Sequence, residues 1–185
     1  MNYNVIAFSG SLRKESFTTR LVKAFAQLAP QHITVSYIDI GQLPFINEDL
    51  EANLPQSVLD LYETIEKADG VIFATPEYNR SYSPVLKNAI DWGSRPEGKN
   101  KWKKKPVAIV GCTPYSLGAF GAQNHLRQSI MYLDMVPLQQ PEFYLGQAAE
   151  KFDAAGNLTD DATKKKIQEL WEAFASLIEM HGGKK

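Results

Sequence analysis

Three short, unbroken apolar runs constrain this chain more than any other feature: Val5-Ile6-Ala7-Phe8, Val71-Ile72-Phe73-Ala74 and Val107-Ala108-Ile109-Val110. A strand with one wet face alternates apolar and polar side chains. An unbroken run needs cover on both faces, which is the situation of a central strand in a parallel sheet. Helical spacing separates the runs. Phe17, Leu21, Phe25 and Leu28 follow the first, and Val58, Leu61, Tyr62 and Ile65 precede the second. Val85, Leu86, Ala89 and Ile90 follow the second, with Ser83-Pro84 as cap and first helical residue. Leu126, Ile130 and Leu133 mark a fourth helix. Thr159 with Asp160 and Asp161 opens a fifth, whose stripe is Ile167, Leu170, Trp171, Phe174 and Ile178.

Two weaker strand signals complete the pattern. Ile33, Val35 and Tyr37 alternate with Thr34 and Ser36, and Glu142–Leu145 is mixed. Alternating and mixed strands belong at sheet edges. Five β-α units therefore predict an α/β three-layer sandwich. Its five-stranded parallel sheet has the flavodoxin-like order 2-1-3-4-5, in one domain over residues 1–185.

Composition narrows the function. Lys plus Arg number 20 and Asp plus Glu 21, for a net charge of −1. That balance speaks against nucleic acid as the main partner and against an acidic carrier that docks by charge. A single cysteine excludes an internal disulfide, a C-x-x-C pair and an all-cysteine iron–sulfur site. Redox chemistry here needs an organic cofactor. No metal-ligand spacing is present, and His32, His125 and His181 are scattered. The N-terminus shows no leader-like pattern and no apolar run nears the roughly 20 residues of a membrane span. The expectation is a cytoplasmic protein.

In an open parallel sheet, ligands bind beyond the carboxyl ends of the strands. Three loops stand there. The first, Ser9–Thr18, offers several hydroxyls, Arg13 and a helix N-terminus, the donors a phosphate needs. It has neither Walker nor G-x-G-x-x-G spacing. The alternative is a capped turn with solvated polar residues. The second, Thr75–Pro84, carries Tyr78, Tyr82 and Asn79, suited to a flat heterocycle or to packing on its own helix. The third, Gly111–Gly121, is built of small residues that let backbone approach a ligand. Cys112 reads as a small strand-end residue rather than a nucleophile. The basic run Lys99, Lys101, Lys103, Lys104 and Lys105 is either a solvated loop or a steering patch for a phosphorylated nicotinamide cofactor.

Taken together, G-S-L-R-K-x-S at Gly10–Ser16, T-P-E-Y-N at Thr75–Asn79 and S-P-x-x-L-K-N-A-I-D-W at Ser83–Trp92 resemble the NADPH-dependent FMN reductase family. H-L-R-Q at His125–Gln128 and P-E-F at Pro141–Phe143 resemble its bacterial quinone, chromate and azo-dye reductase branch. The resemblance spans roughly residues 4–145. It implies non-covalent FMN, with Ser11, Arg13, Ser16, Phe17 and Thr18 holding the phosphate. Pro76, Glu77, Tyr78 and Asn79 would line the ring system largely through backbone groups, and Thr113 would stand in the third flavin loop. Tyr82, Ser116 and Gly118 would border the acceptor pocket. The implied activity is two-electron, ping-pong transfer from NADPH or NADH to quinones, azo compounds, free flavin or similar acceptors, on FMN and without a catalytic side chain. The resemblance also implies a homodimer or homotetramer, with Arg127 and Glu142 at subunit contacts. A flavodoxin-type electron carrier that does not oxidise NAD(P)H is the rival reading. A phosphoacceptor receiver domain is a weaker one, since Ser9-Gly10 and Ala74-Thr75 stand where its acids would be.

Overall fold

A computed structural model describes residues 1–181. The strands β1 (Tyr3–Ser9), β2 (Ile33–Ile38), β3 (Gly70–Thr75) and β4 (Pro106–Cys112) are parallel and ordered β2-β1-β3-β4. Register is set by pairs such as Phe8 with Phe73 and Phe73 with Ile109. Every residue of β3 and β4 is buried, whereas in β2 only Ile33 is buried, as its alternation requires of an edge.

The far edge differs from the expectation of one fifth strand over Glu142–Leu145. Two short segments share it, β5 (Val136–Pro137) and β6 (Phe143–Leu145), each parallel to β4. Pro137 and Pro141 have no N–H to give a ladder, so pairing stops after Leu138 and resumes at Phe143.

The period-2 alternation sorts the apolar runs between two cores. Val5, Ala7, Ile72 and Val110 face α1 (Phe17–Gln27) and α5 (Asp161–His181), packing on Leu21, Phe25, Trp171 and Phe174. Ile6, Phe8, Phe73 and Val107 face α2 (Gln56–Lys67), α3 (Pro84–Gly93) and α4 (Phe120–Tyr132). Both faces are dry, which is why the runs are unbroken. Ser83 caps α3 as expected, accepting from the Leu86 amide at 3.3 Å. For α5 the cap is Asp160 rather than Thr159. Its Oδ2 accepts from the Thr163 amide at 2.8 Å and from the Thr163 hydroxyl at 2.6 Å. Those bonds and Lys151 hold the Asp160 carboxyl down at about 2.

The segment between β2 and α2, unassigned by pattern, folds as a strap over α3. Asn88 grips it from both sides, accepting from the Ile46 amide and donating to the Pro44 carbonyl, each at 2.8 Å. Trp92 Nε1 donates to the same carbonyl at 2.8 Å. Two letters of the L-K-N-A-I-D-W motif thus act on chain some 44 residues away. No helix among the described residues is long and apolar enough to cross a membrane.

Candidate functional site

The loops that leave β1, β3 and β4 converge at the carboxyl end of the sheet. Gly10 joins the first two: its amide donates to the Ala74 carbonyl at 2.8 Å. A Cβ on Gly10 would lie 2.6 Å from Ser83 Oγ and 3.0 Å from Pro76, so only glycine lets the loops meet so closely.

Beyond Gly10 the chain enters α1 through Ser16, whose Oγ accepts from the Thr19 amide at 3.1 Å. The amides of Phe17 and Thr18 stand at helical positions for which the helix itself has no acceptor. Arg13 is exposed and forms no ion pair among the described residues. A helix N-terminus, buried hydroxyls at Ser11 and Ser16 and an unneutralised guanidinium are the donor set a phosphate monoester requires. The Phe17 ring is turned aside, stacked on Phe152 at 6.3 Å, so the backbone is what Phe17 presents to the loop. Thr18 is buried, its hydroxyl 4.0 Å from the Cys112 sulfur.

The second loop makes a two-residue hairpin. Tyr78 and Ser81 exchange both amide bonds at 2.9 Å, and Asn79 and Arg80 both take positive φ, 50° and 65°. Left-handed backbone at both central positions is the mark of a type I′ turn. Arginine adopts it at a cost, and the surroundings hold it there. Glu77 supplies the restraint. One carboxylate oxygen bonds Arg80 at 2.8 Å, and the other accepts from the Ala122 amide at 3.2 Å. That amide lies in the first turn of α4, whose own cap position, Ala119, has no side chain to offer. Glu77 therefore caps a helix from another loop and locks the second and third loops together.

Two clefts open at this junction and share Asn79. The larger, about 660 Å³, lies between Gly10–Arg13 on one side and Tyr78, Asn79 and Ser83–Val85 on the other. The smaller, about 380 Å³, lies between Glu77–Arg80 and Thr113–Ala119. Ser11, Arg13, Tyr78 and Asn79 line the first; Glu77, Asn79, Thr113 and Ser116 line the second. Both volumes fall in the roughly 300–1,000 Å³ range of small-molecule sites. Pro76 lies beneath, against Gly10. Tyr82 stands apart, its hydroxyl paired with Ser129 at 2.7 Å. Gly118 is buried in the third loop at φ +57°, where a Cβ would meet the Tyr144 backbone at 2.6 Å. It fixes the loop onto β6.

Arg80 and Leu117 are lining residues that pattern reading missed. For Arg80 the available signal is Asn79 before it, since Asn tolerates the left-handed backbone a turn needs; Leu117 has none. Cys112 is buried, and burial pushes its thiol up to about 12, so it stays protonated and inert at neutral pH. His125 sits on the flank of α4 with Nδ1 3.3 Å from Ser81 Oγ. The lysine run does not reach the clefts. It precedes β4, so it lies at the opposite end of the sheet, and the steering reading fails. Lys101 pairs with Glu66, Lys104 with Asp134 at 2.8 Å, and Lys105 donates to the Ala68 carbonyl. Arg127 and Glu142 bond each other at 3.0 Å within the chain.

A doubly wound sheet with a phosphate-type loop after β1 and a small-molecule cleft beside it defines the class of flavodoxin-like flavoproteins. The model of the family described as NADPH-dependent FMN reductase matches residues 3–150. A quinone reductase from Pseudomonas putida is 43% identical over 180 residues, 97% of this chain and 96% of that protein. An NADPH:quinone oxidoreductase from Arabidopsis thaliana is 45% identical, over 90% of this chain and 87% of its own. Among solved structures, FerB, a flavoenzyme NAD(P)H:(acceptor) oxidoreductase from Paracoccus denitrificans, superposes with a TM-score of 0.90. It is 43% identical and covers 97% of this chain and 98% of that one. The chain belongs to the NADPH-dependent FMN reductase family, and it is an FMN-dependent NAD(P)H oxidoreductase.

Proposed function

We propose that the protein reduces quinones at the expense of NAD(P)H, one open face above the Asn79 junction receiving donor and acceptor in turn. The observation that carries this reading is the meeting of the phosphate-type loop with the Glu77–Arg80 turn at one cleft edge. Relatives that act on quinones support the acceptor class. FMN, when bound, supplies hydride acceptance and two-electron storage. The protein supplies position. The Phe17 and Thr18 amides, the Ser11, Ser16 and Thr18 hydroxyls and Arg13 hold the phosphate. The Ser16 oxygen already accepts a bond, and its O–H remains free to donate. Backbone at Pro76–Asn79 and the Thr113 loop orient the ring system, with Glu77 keeping that backbone in place. Tyr78 and Ser116, both exposed at the clefts, border the acceptor, with Tyr82 and Gly118 behind them. Azo compounds and free flavin fit the same open face.

The test is a visible spectrum of purified protein during anaerobic addition of NADPH, then of benzoquinone. The expected result is a bound-flavin spectrum that bleaches with NADPH and returns with quinone. Steady-state lines should be parallel when both substrates are varied. Bound flavin that resists NADPH and NADH would favour a one-electron carrier instead.

The same proposal places the enzyme in the cytoplasm as a homodimer or homotetramer. The support for assembly is exposed apolar side chains at both ends of α4, Tyr115, Leu117 and Phe120 at one and Met131 and Tyr132 at the other, each more than half exposed. Surfaces of that kind mark association sites. Light scattering should give a mass of two or four times 20.7 kDa, and Met131→Glu with Tyr132→Glu should lower it. A wild-type monomer would reject the oligomer.

A further inference from the structure

The start of α4 serves both walls of the smaller cleft from successive residues. The Ala122 amide takes Glu77 of the second loop. Gln123, fully buried, turns its side chain to the third loop and the split sheet edge. Its Nε2 donates to the Phe143 carbonyl of β6 at 2.8 Å and reaches the Gly118 carbonyl at 3.4 Å. Both neighbours are acceptors, so the nitrogen rather than the oxygen faces them. The Oε1 atom is buried without a hydrogen-bond partner among the described residues. An orphaned acceptor is a cost that an apolar side chain of the same length avoids. Core packing alone does not account for a glutamine here; its donor arm does.

The surroundings are shaped around that arm. On β4, a Cβ at Gly111 would lie 2.8 Å from Nε2 and 2.8 Å from the Ala119 Cβ, so only glycine leaves the amide room. Gly118 and Ala119 both take positive φ, 57° and 66°. Alanine is held in left-handed backbone at a cost. Gln123 braces that stretch twice. Its main-chain amide donates to the Ala119 carbonyl at 3.0 Å, and its side chain reaches the carbonyl before it. Ser116, Leu117 and Ala119, which wall the smaller cleft, belong to the same stretch.

We propose that Gln123 is a positioning residue for the acceptor. Its side chain pins Gly118 and Ala119 to β6, while Ala122 holds the second loop through Glu77. The spacing of those two attachments sets the width of the smaller cleft. The inference rests on the reading that this cleft lies on the open face where quinone is reduced. Gln123 itself is buried and acts through the loop.

Gln123→Met tests this, since it keeps the length of the side chain and removes the donor. It takes away one orphaned atom and leaves the Phe143 carbonyl without this donor, so the unfolding midpoint should change little. In apo-protein, amide hydrogen exchange over residues 113–120 should quicken tenfold or more, with the first loop unchanged. In FMN-loaded enzyme, kcat/KM for benzoquinone should fall fivefold or more, while FMN affinity changes less than threefold. Gln123→Glu supplies the rescue. Its protonated carboxyl has the shape of the amide and donates O–H to Phe143. Burial and that bond both favour the protonated form and raise the pKa. The Glu variant should therefore match wild type at low pH and lose kcat/KM as pH rises, when ionised oxygens meet two carbonyls. Cys112, the titratable neighbour on β4, is pushed up to about 12 and stays protonated. Glu77 and Glu142, on the adjoining loop and edge, are shared with wild type, so the ratio to wild type at each pH cancels them. The Glu variant is compared across pH, so its test stands even where Gln123→Met does not fold. Unchanged exchange in the Met variant, exchange quickened evenly through the chain, wild-type kcat/KM, or a Glu variant parallel to wild type at every pH would overturn the proposal. Wild type that takes up no FMN, with the exchange difference intact, would reject the functional reading and leave the pin in place.

Discussion

Arg13→Ala is expected to weaken FMN binding roughly 10- to 100-fold and to leave the unfolding midpoint of the apo-protein unchanged. The guanidinium is exposed and forms no ion pair among the described residues, so the fold does not depend on it. Opposite a phosphate, the same group makes charge-assisted bonds worth about 1.5–3 kcal/mol, and each 1.4 kcal/mol is a factor of ten in affinity. The Arg13 amide, 3.4 Å from Ser11 Oγ, is retained in the variant, so the loop keeps that contact. Arg13→Lys should recover part of the loss, since lysine restores charge but not the planar fork. Titration of apo-protein with FMN at two salt concentrations measures it. The variant should show the flatter salt dependence, because one phosphate contact has gone. Unchanged affinity would remove Arg13 from the phosphate site.

The parts of this site that the sequence displays are those made by neighbours in the chain. The Ser16 cap, the Ser83-Pro84 helix start and the loops at strand ends follow from contacts within a few residues. The sheet order is legible for a related reason. Burial on both faces erases alternation in Val5–Phe8, Val71–Ala74 and Val107–Val110, and burial on one face preserves it in β2. What escapes is bonding across distance. Glu77 reads as one more polar residue in a ligand loop until α4, 45 positions on, proves to lack a cap of its own. Ala119 was the clue: a helix start without Ser, Thr, Asp or Asn asks for a donor's partner from elsewhere. Asn88 and Trp92 are conspicuous as letters of a motif, but their service to Pro44 lies outside any local pattern. The split of the far sheet edge is hidden by the opposite failing, since Val136–Pro137 is too short to give a period. The lysine run misleads because charge density in sequence carries no direction. Only its place before β4 decides which end of the sheet it decorates.

Trp102→Ala should cost about 3–5 kcal/mol of stability, the range for deleting a fully buried large aromatic. That is a large share of the roughly 5–15 kcal/mol available to an ordinary domain. The ring packs edge-on against Phe8 at 5.8 Å and Phe73 at 5.4 Å. It lies so close to Gly93 that a Cβ there would come within 2.4 Å. Its indole N–H donates to the Ile90 carbonyl at 2.8 Å, a bond that no other group replaces in the variant. Trp102→Phe, which keeps most of the volume and loses that bond, should cost about 1–3 kcal/mol. Phe8 and Phe73 stand at paired positions of β1 and β3, immediately before Ser9-Gly10 and Ala74-Thr75. The cavity should therefore loosen the floor of the proposed flavin site, and flavin should oppose the damage. Binding to the folded state alone returns about 2.7 kcal/mol at one hundred times Kd. Urea unfolding of Trp102→Ala should accordingly move to higher denaturant when FMN is added. Adding Arg13→Ala to the same chain should shrink that rescue, because the ligand loses its phosphate hold while the cavity is unchanged. A double variant rescued as fully as the single one would show that the stabilising ligand does not reach the folded chain through Arg13.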